Sequence, residues 1–257
     1  QDDDDALLDI NILVAKLCEA EGEIDIPKSY YDAVNGKRAE QWRGAVTLEH
    51  DGIKQKEVYS WVKATTDMRI IGTKWVFDVK RHQDGTIERY KARLVVRGDQ
   101  QREGIDYTET YSAVIRANTL RLLISMATAE KMHIHFVDIE QAYLNGIIDG
   151  DVYVRPPPGV DARPGYVWKL NKALYGLKQS GRVFNIFLDQ KLKEMNFVPA
   201  SHDRCFYTRK RMVNGKMETV LIGVFVDDLV IAGTSLEAVE SFKNELSTHV
   251  SIKDKGQ

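Results

Sequence analysis

Two kinds of hydrophobic pattern divide this chain into predicted strands and predicted helices. Strands are predicted where β-branched and aromatic residues run together or alternate with polar ones: 73–80, 90–96, 133–138, 167–170, 206–207 and 218–226. Helices are predicted where apolar residues recur at helical spacing: 6–18, 29–49, 117–130, 182–194 and 236–246. The second half of the chain thereby completes a β-α-β-β-α plan.

A strongly apolar stretch, residues 221–233, begins within the last predicted strand and is interrupted by two adjacent acids, Asp227 and Asp228. The pattern predicts two buried strands joined by a tight turn that carries the acids. Burying one ionised carboxylate is costly, and a second carboxylate beside it raises the pKa of both. A hard divalent cation such as Mg²⁺, which takes oxygen ligands, offsets that cost. The alternative is an Asp-Asp turn at a hairpin tip with both acids in water.

A third acid follows another predicted strand upstream. An apolar stretch runs into Asp138, and Tyr143 follows five residues later, where the chain turns away. With Asp227 and Asp228, this gives three carboxylates at strand ends. Three such carboxylates are the minimum set for holding two metal ions about 3.5–4 Å apart.

Charge is distributed unevenly, although the whole chain has a net charge of only −2. Residues 1–26 carry nine acids against one lysine, which leaves −8 in that segment. Residues 74–97 carry seven basic residues against three acids (+4), and residues 165–216 carry eleven against three (+8). Basic segments of this kind bind phosphates, although solvated surface charge has the same composition.

The remaining composition excludes several classes of protein. Only Cys18 and Cys205 occur, so no disulfide framework is predicted and a reducing compartment is the default. His202 and Cys205 have a metal-ligand spacing, but two ligands do not make a zinc site. No apolar run reaches the roughly 20 residues that a membrane helix needs, and no signal peptide is visible.

The acids and their surroundings resemble the polymerase palm of reverse transcriptases. In that palm a strand with one Asp is followed five residues later by an aromatic residue, and downstream by a hairpin with Phe or Tyr, any residue and then Asp-Asp, which here is Phe-Val-Asp-Asp at 225–228. Three further motifs are similar to those of copia-type LTR-retrotransposon reverse transcriptases. They are Tyr-Lys-Ala-Arg-Leu-Val-Val-Arg-Gly at 90–98, Gly-Ile-Asp-Tyr at 104–107 and Ala-Leu-Tyr-Gly-Leu-Lys-Gln-Ser at 173–180. The resemblance extends from about Pro27 to the end of the chain.

This resemblance implies an α+β fold of the right-hand polymerase kind, with an antiparallel catalytic sheet backed by helices. Residues 1–50 are expected to form an acidic leader and a helical N-terminal extension. Residues 51–116 are expected to form the fingers and 117–257 the palm, with 144–178 returning to the fingers. A thumb and an RNase H domain would normally follow, and we expect the thumb to be absent from this chain.

The function implied is that of an RNA-directed DNA polymerase, and the resemblance assigns roles to individual residues. Asp138 and Asp227 would hold two Mg²⁺ ions, or Mn²⁺ in their place, with Asp228 supporting. Tyr143 would lie under the sugar and exclude a 2′-hydroxyl. Lys80 and Arg93 are expected to contact the triphosphate, and Tyr175 and Gly176 the nascent base pair. Lys255 or Lys253 would act as the general acid. Among the fingers cations Lys80, Arg81, Lys91 and Arg93, we favour Lys80 and Arg93 for the triphosphate.

The implied partners are a dNTP, an RNA or DNA template with its primer, and the remainder of a Pol polyprotein, without a membrane. The implied location is intracellular, either in cytoplasmic virus-like particles or in the nucleus. A second hypothesis is a truncated or co-opted retroelement fragment that binds nucleic acid or a protein partner without polymerising. Departures from the family pattern at Ala113, Gly181 and Lys255 favour it, whereas the intact acids and Tyr143 argue against decay of the site.

Overall fold

The computed structural model describes residues 25–161 and 163–257. The helix predicted over 6–18 and most of the acidic leader lie outside the described residues. The described α-helices are α1 Tyr30–Asn35, α2 Ala39–Gln55, α3 Ala117–Ala129, α4 Ser180–Glu194 and α5 Leu236–Ser247. None of these helices combines the length and the apolar character needed to span a bilayer.

The prediction of one helix over 29–49 is wrong, because two helices occupy this region. Helix α1 is capped by Ser29, whose hydroxyl accepts a hydrogen bond from the backbone N–H of Asp32. It ends at Gly36, which has an extended backbone and lies so close to α1 that an added Cβ would be 2.8 Å from the Asp32 carbonyl oxygen. Glycine has a low helix propensity, which favours a break at this position. Helix α2 then runs from Ala39 to Gln55.

Twelve strands form three sheets in the described part of the chain. The strands are β1 Tyr59–Lys63, β2 Ile70–Ile71, β3 Thr73–Arg81, β4 Ile87–Val96, β5 His133–Ile139, β6 Tyr153–Val154, β7 Tyr166–Leu170, β8 Val198–Pro199, β9 Phe206–Val213, β10 Lys216–Phe225, β11 Asp228–Gly233 and β12 Ile252–Gly256. In order of hydrogen-bonded neighbours, the sheets are β1-β7-β6-β2, β12-β5-β11-β10-β9-β8 and β3-β4.

The six-stranded sheet is antiparallel throughout and brings β5 beside β11, the strand that follows the Asp227-Asp228 turn. Its edge strand β12 was not predicted, because Ile-Lys-Asp-Lys-Gly lacks an apolar alternation. The strand forms by pairing with β5, which places Ile252 opposite Ile139. A strand at the edge of a sheet needs to bury little apolar surface. Pairing with β5 therefore forms the strand although its sequence has weak strand propensity.

One hydrophobic core lies between this sheet and helices α3, α4 and α5. Phe242 of α5 packs edge-to-face on Phe197, with 5.1 Å between the ring centroids. The guanidinium carbon of Arg209, on β9, lies 4.4 Å from the centroid of the Phe197 ring, and its Nη1 pairs with Glu245 of α5 at 2.6 Å. The core and this buried cation fix α5 against the sheet.

A second hydrophobic core joins residues 33–96 to 144–177. Trp42 of α2 packs edge-to-face on Phe77 and on Tyr90, with centroid distances of 5.2 and 4.7 Å. Trp168 on β7 is fully buried and stacks on Tyr59 of β1. Tyr143 packs against both cores, and so it lies at their boundary.

Candidate active site

The β10–β11 hairpin places two acids at the end of the six-stranded sheet. Strand β10 ends at Phe225 and β11 begins at Asp228, which leaves Val226 and Asp227 as the turn. Val226 has a positive φ of 57°, which is uncommon for a β-branched residue. Holding it there costs on the order of 1 kcal/mol or more, so the surrounding pairing must impose the turn.

Pairing with β5 brings the third acid to the same place. Asp138 lies directly opposite Asp228 in the β5–β11 ladder, and the Ile139 N–H donates to the Asp227 carbonyl oxygen at 2.8 Å. Side chains of residues directly opposite each other point to the same face of a sheet. The structure therefore brings Asp138, Asp227 and Asp228 together at one strand end.

The electrostatics of this cluster are unfavourable for Asp227. Its pKa is raised, first because burial desolvates the carboxylate and then because Asp138 and Asp228 repel it. Asp228 by contrast has a side chain that is 52% exposed. The two adjacent acids are therefore not equivalent, since only one of them is well solvated.

Within residues 25–161 and 163–257, Lys255 is the cation that contacts these acids. The Lys255 Nζ lies 2.7 Å from Asp228 Oδ1 and 3.5 Å from Asp138 Oδ1. The register of β12 against β5 is irregular between Asp254 and Gly256, at the position of Lys255. The pKa of Lys255 is raised, with the hydrogen bond to Asp228 as the largest cause. Lys253 lies opposite Asp138 in the ladder, and no ion pair involves it among the described residues.

An aromatic pair adjoins the acids. Tyr143 lies in the 3₁₀ turn Ala142–Asn145 that follows β5, and its ring centroid is 5.3 Å from that of Tyr175. The pKa of Tyr143 is raised by desolvation and by the nearby charge of Asp227. The Arg93 guanidinium lies 5.9 Å from the centroid of the Tyr175 ring. Arg93, Tyr175, Tyr143 and Asp227 thus form a continuous group.

Gly176 allows two backbones to approach closely. Its φ is +90°, and an added Cβ would lie 2.2 Å from the Val96 carbonyl oxygen. The Val96 N–H donates to the Tyr175 carbonyl oxygen at 2.7 Å, and an added Cβ on Gly98 would lie 2.0 Å from the Gly176 oxygen. This packing already requires glycine at 176, so its expected contact with the base pair stays a prediction.

The cations of the β3–β4 hairpin have different surroundings. The register pairs Asp78 with Lys91 and Lys80 with Arg89, which places these side chains on the face that also carries Arg93. Lys80 is paired with Asp78 at 2.6 Å, and Arg81 donates to the Gly85 carbonyl oxygen of the turn at 2.8 Å. Arg93 contacts Tyr175, whereas Lys80 makes no ion pair with the three acids in the described part of the chain.

The decisive comparison is with a family model described as "Reverse transcriptase (RNA-dependent DNA polymerase)". It matches residues 56–257, which is more than half of the chain. This chain belongs to the reverse transcriptase family. The prediction of that family from the acids and the motifs is confirmed.

The relatives of this reverse transcriptase domain include transposon polyproteins. It is 36% identical over 225 residues to the retrovirus-related Pol polyprotein from transposon RE1 of Arabidopsis thaliana, covering 86% of this chain and 15% of that protein. The Pol polyprotein from transposon TNT 1-94 of Nicotiana tabacum is 30% identical over 232 residues, covering 90% and 17%. The transposon Ty1-BL Gag-Pol polyprotein of Saccharomyces cerevisiae is 31% identical over 191 residues, covering 72% and 10%. The chain thus spans a small part of each relative.

Reverse transcriptase domains in general require a divalent metal, and the donor chemistry of the three acids fits one. All three offer hard carboxylate oxygens, Asp227 is desolvated among like charges, and the Lys255 ammonium already contacts two of them. The carboxylate oxygens of these three acids nevertheless do not all lie within 4.8 Å of one another. Within the described residues, the one group of three or more acids or histidines whose ligand atoms all lie within 4.8 Å of one another is His135, Glu240 and Asp254.

That tighter group already holds a cation of the protein. The Lys243 Nζ lies 2.9 Å from His135 Nδ1, 2.8 Å from Glu240 and 2.6 Å from Asp254. Lys243 is only 4% exposed, and its hydrogen bonds to Asp254 and Glu240 raise its pKa against the effect of burial. An ammonium with three partners makes this group a structural link between α5, β5 and β12.

Sequence reasoning missed one acid near this reverse transcriptase site, Glu49 of α2. It is 7% exposed and follows the core-facing residues Trp42 and Ala45 at helical spacing. An ionisable residue on the buried stripe of a predicted helix was the available signal.

Proposed function

We propose that this reverse transcriptase domain comprises the fingers and palm of a right-hand polymerase and extends a primer with deoxyribonucleotides on an RNA template. Residues 117–257 form the palm, residues 51–116 form the fingers, and 144–178 return to the fingers. Residues 1–50 precede them as an acidic leader and helical extension. The two hydrophobic cores support this division, because one of them draws on both 33–96 and 144–177.

The observation that carries the proposal is the position of Asp138 opposite Asp228, with Asp227 in the adjoining turn. Asp138 and Asp227 hold the divalent ions, and Asp228 supports them. When bound, Mg²⁺ or Mn²⁺ lowers the pKa of the primer 3′-hydroxyl and neutralises charge that develops on the triphosphate. Because the acids lie at the ends of paired strands, they are oriented before the nucleotide arrives.

The group from Arg93 to Tyr143 binds the incoming nucleotide. Arg93 presents its planar fork to the triphosphate oxygens, and Lys80 adds a second cation after releasing Asp78. Tyr143 lies under the sugar and excludes a 2′-hydroxyl, so the product is DNA. Tyr175 and Gly176 line the nascent base pair.

Lys255 donates a proton to the departing pyrophosphate in this proposal, and Lys253 is the alternative donor. The contact between the Lys255 Nζ and Asp228 supports the assignment, because it keeps the amine charged close to the acids. A protonated amine next to the triphosphate also stabilises negative charge there.

The substrates and partners follow from this chemistry. An RNA or DNA template with its primer binds through its phosphates to the basic segments 74–97 and 165–216. The remainder of a Pol polyprotein completes the enzyme, which acts in cytoplasmic virus-like particles or in the nucleus.

Single-nucleotide extension of a DNA primer on an RNA template, with dNTP and Mg²⁺, tests the function. The parent chain should extend the primer, and Asp227→Asn should abolish extension while leaving thermal stability equal or higher, since a repelled carboxylate is removed. Asp149→Asn, at an exposed acid on another loop, is the matched control. A parent chain that binds primer–template and never extends it would instead support the fragment that binds without polymerising.

A further inference from the structure

Helix α2 places a buried carboxylate behind the proposed nucleotide pocket. Glu49 is 7% exposed, and burial is the largest cause of a raised pKa for its carboxyl group. It precedes residues 56–257, which match the reverse transcriptase family. A carboxylate that stays buried needs hydrogen-bond partners, and those partners identify what it does.

The first partner is the open edge of β4. The β3–β4 sheet has two strands, so alternate N–H groups of β4 face away from β3. Glu49 Oε1 accepts a hydrogen bond from the Leu94 N–H at 3.3 Å, and the Tyr175 carbonyl accepts one from the Val96 N–H at 2.7 Å. Two anchors therefore hold the strand that carries Arg93.

The second partner is the turn after β5. Gln141 has a positive φ of 49° and directly precedes the 3₁₀ turn that contains Tyr143. Its Nε2 donates to Glu49 Oε2 at 3.4 Å. Gly52 on α2 leaves room for this side chain, since an added Cβ there would lie 2.5 Å from the Gln141 Nε2.

One side chain thus connects the two walls of the pocket. We infer that Glu49 is a positioning residue that fixes the Arg93 strand relative to the Tyr143 turn, an inference that rests on the function proposed above. It touches neither the acids nor the nucleotide and acts through Leu94 and Gln141. Its negative charge also lies near Lys91 and Arg93, which it stabilises in their places.

Steady-state addition of one dNTP by the full chain tests this role. Glu49→Ala should raise the KM for dNTP about five- to tenfold and change kcat less than about twofold, because binding geometry is lost and the acids are untouched. Glu49→Gln should restore most of the affinity, since its amide oxygen still accepts from Leu94 and its N–H₂ can pair with a flipped Gln141 amide. Glu40→Ala, on the exposed first turn of the same helix, is the matched control.

Amide hydrogen exchange provides a readout that does not depend on activity. Glu49→Ala should speed exchange at Leu94 while leaving Val96 protected, and Glu49→Gln should keep both slow. A chain that fails to extend primers would refute the proposed function, and the exchange result would still decide on Glu49. Unchanged exchange at Leu94, or an equal loss of affinity in Glu49→Gln and Glu49→Ala, would overturn the inference.

Discussion

Replacing Lys255 by methionine should strengthen the binding of a divalent cation by the acids. The Lys255 ammonium contacts Asp228 at 2.7 Å and Asp138 at 3.5 Å, so an incoming cation must displace it from both. Methionine keeps a long flexible side chain but removes the charge. Lys255 therefore competes with the metal, and its removal lowers the concentration of metal that half-saturates the site.

The size of the effect follows from the exposure of the three groups. The side chains of Lys255, Asp228 and Asp138 are 44%, 52% and 30% exposed, so solvent screens both ion pairs. Exposed pairs of this kind contribute about 0.2–1 kcal/mol each, and the 3.5 Å contact belongs at the lower end. Together they amount to about 0.5–1.5 kcal/mol, which corresponds to a roughly two- to tenfold lower Kd.

Electron paramagnetic resonance of free Mn²⁺, titrated with the parent chain and with Lys255→Met, measures this Kd without any requirement for activity. Lys216→Met, which removes an exposed lysine at the start of β10, controls for the general effect of one less positive charge. Raising the salt concentration should narrow the difference between parent and variant, since the pairs are screened. Equal or weaker Mn²⁺ binding by Lys255→Met would refute the competition and leave Lys255 with the proton-donor role alone.

Three further predictions concern the pocket and its support. Tyr143→Ala should lower the preference for dNTP over rNTP about tenfold, or about 1.4 kcal/mol, in competitive incorporation, whereas Tyr143→Phe should retain it. Gly176→Ala should lower the free energy of unfolding in urea by more than about 1 kcal/mol beyond Gly215→Ala, because both glycines have positive φ but only Gly176 would place a Cβ against backbone. The pKa of Glu49 is higher in the folded state than in the unfolded state. Its contribution to stability is therefore present below the unfolded-state pKa and is lost as pH rises through the folded-state pKa. The thermal stability of Glu49→Gln relative to the parent should therefore increase over that range, and an unchanged difference would contradict the assigned pKa shift.

The sequence predicted the centre of the large sheet because its signals are local. Apolar β-branched runs on both sides of Asp227 and Asp228 specify a hairpin with the acids at its turn, and the run into Asp138 specifies a strand end. These strands pair as expected for an antiparallel sheet. The family assignment rested on these acids together with the motifs at 90–98, 104–107 and 173–180, and it is confirmed.

What the sequence missed depends on tertiary contacts. Strand β12 has too few apolar residues for a local signal and forms by pairing with β5. Its irregular register brings Lys255, rather than Lys253, into contact with the acids. The hydrogen bonds of Glu49 to Leu94 and Gln141 likewise depend on side chains that meet across separate elements, which periodicity does not encode.

The location of the bound metal tests the central claim that the acids of β5 and of the β10–β11 turn form the catalytic cation site. Fe²⁺ can replace Mg²⁺, and with ascorbate and peroxide it produces hydroxyl radicals that cut the backbone next to the bound ion. Peptide mapping should find cuts close to Asp138 and Asp227, suppressed by excess Mg²⁺ and by Asp227→Asn. Cuts concentrated instead around His135, Glu240 and Asp254 would contradict the account, because that group has the tightest set of ligand atoms among the described residues.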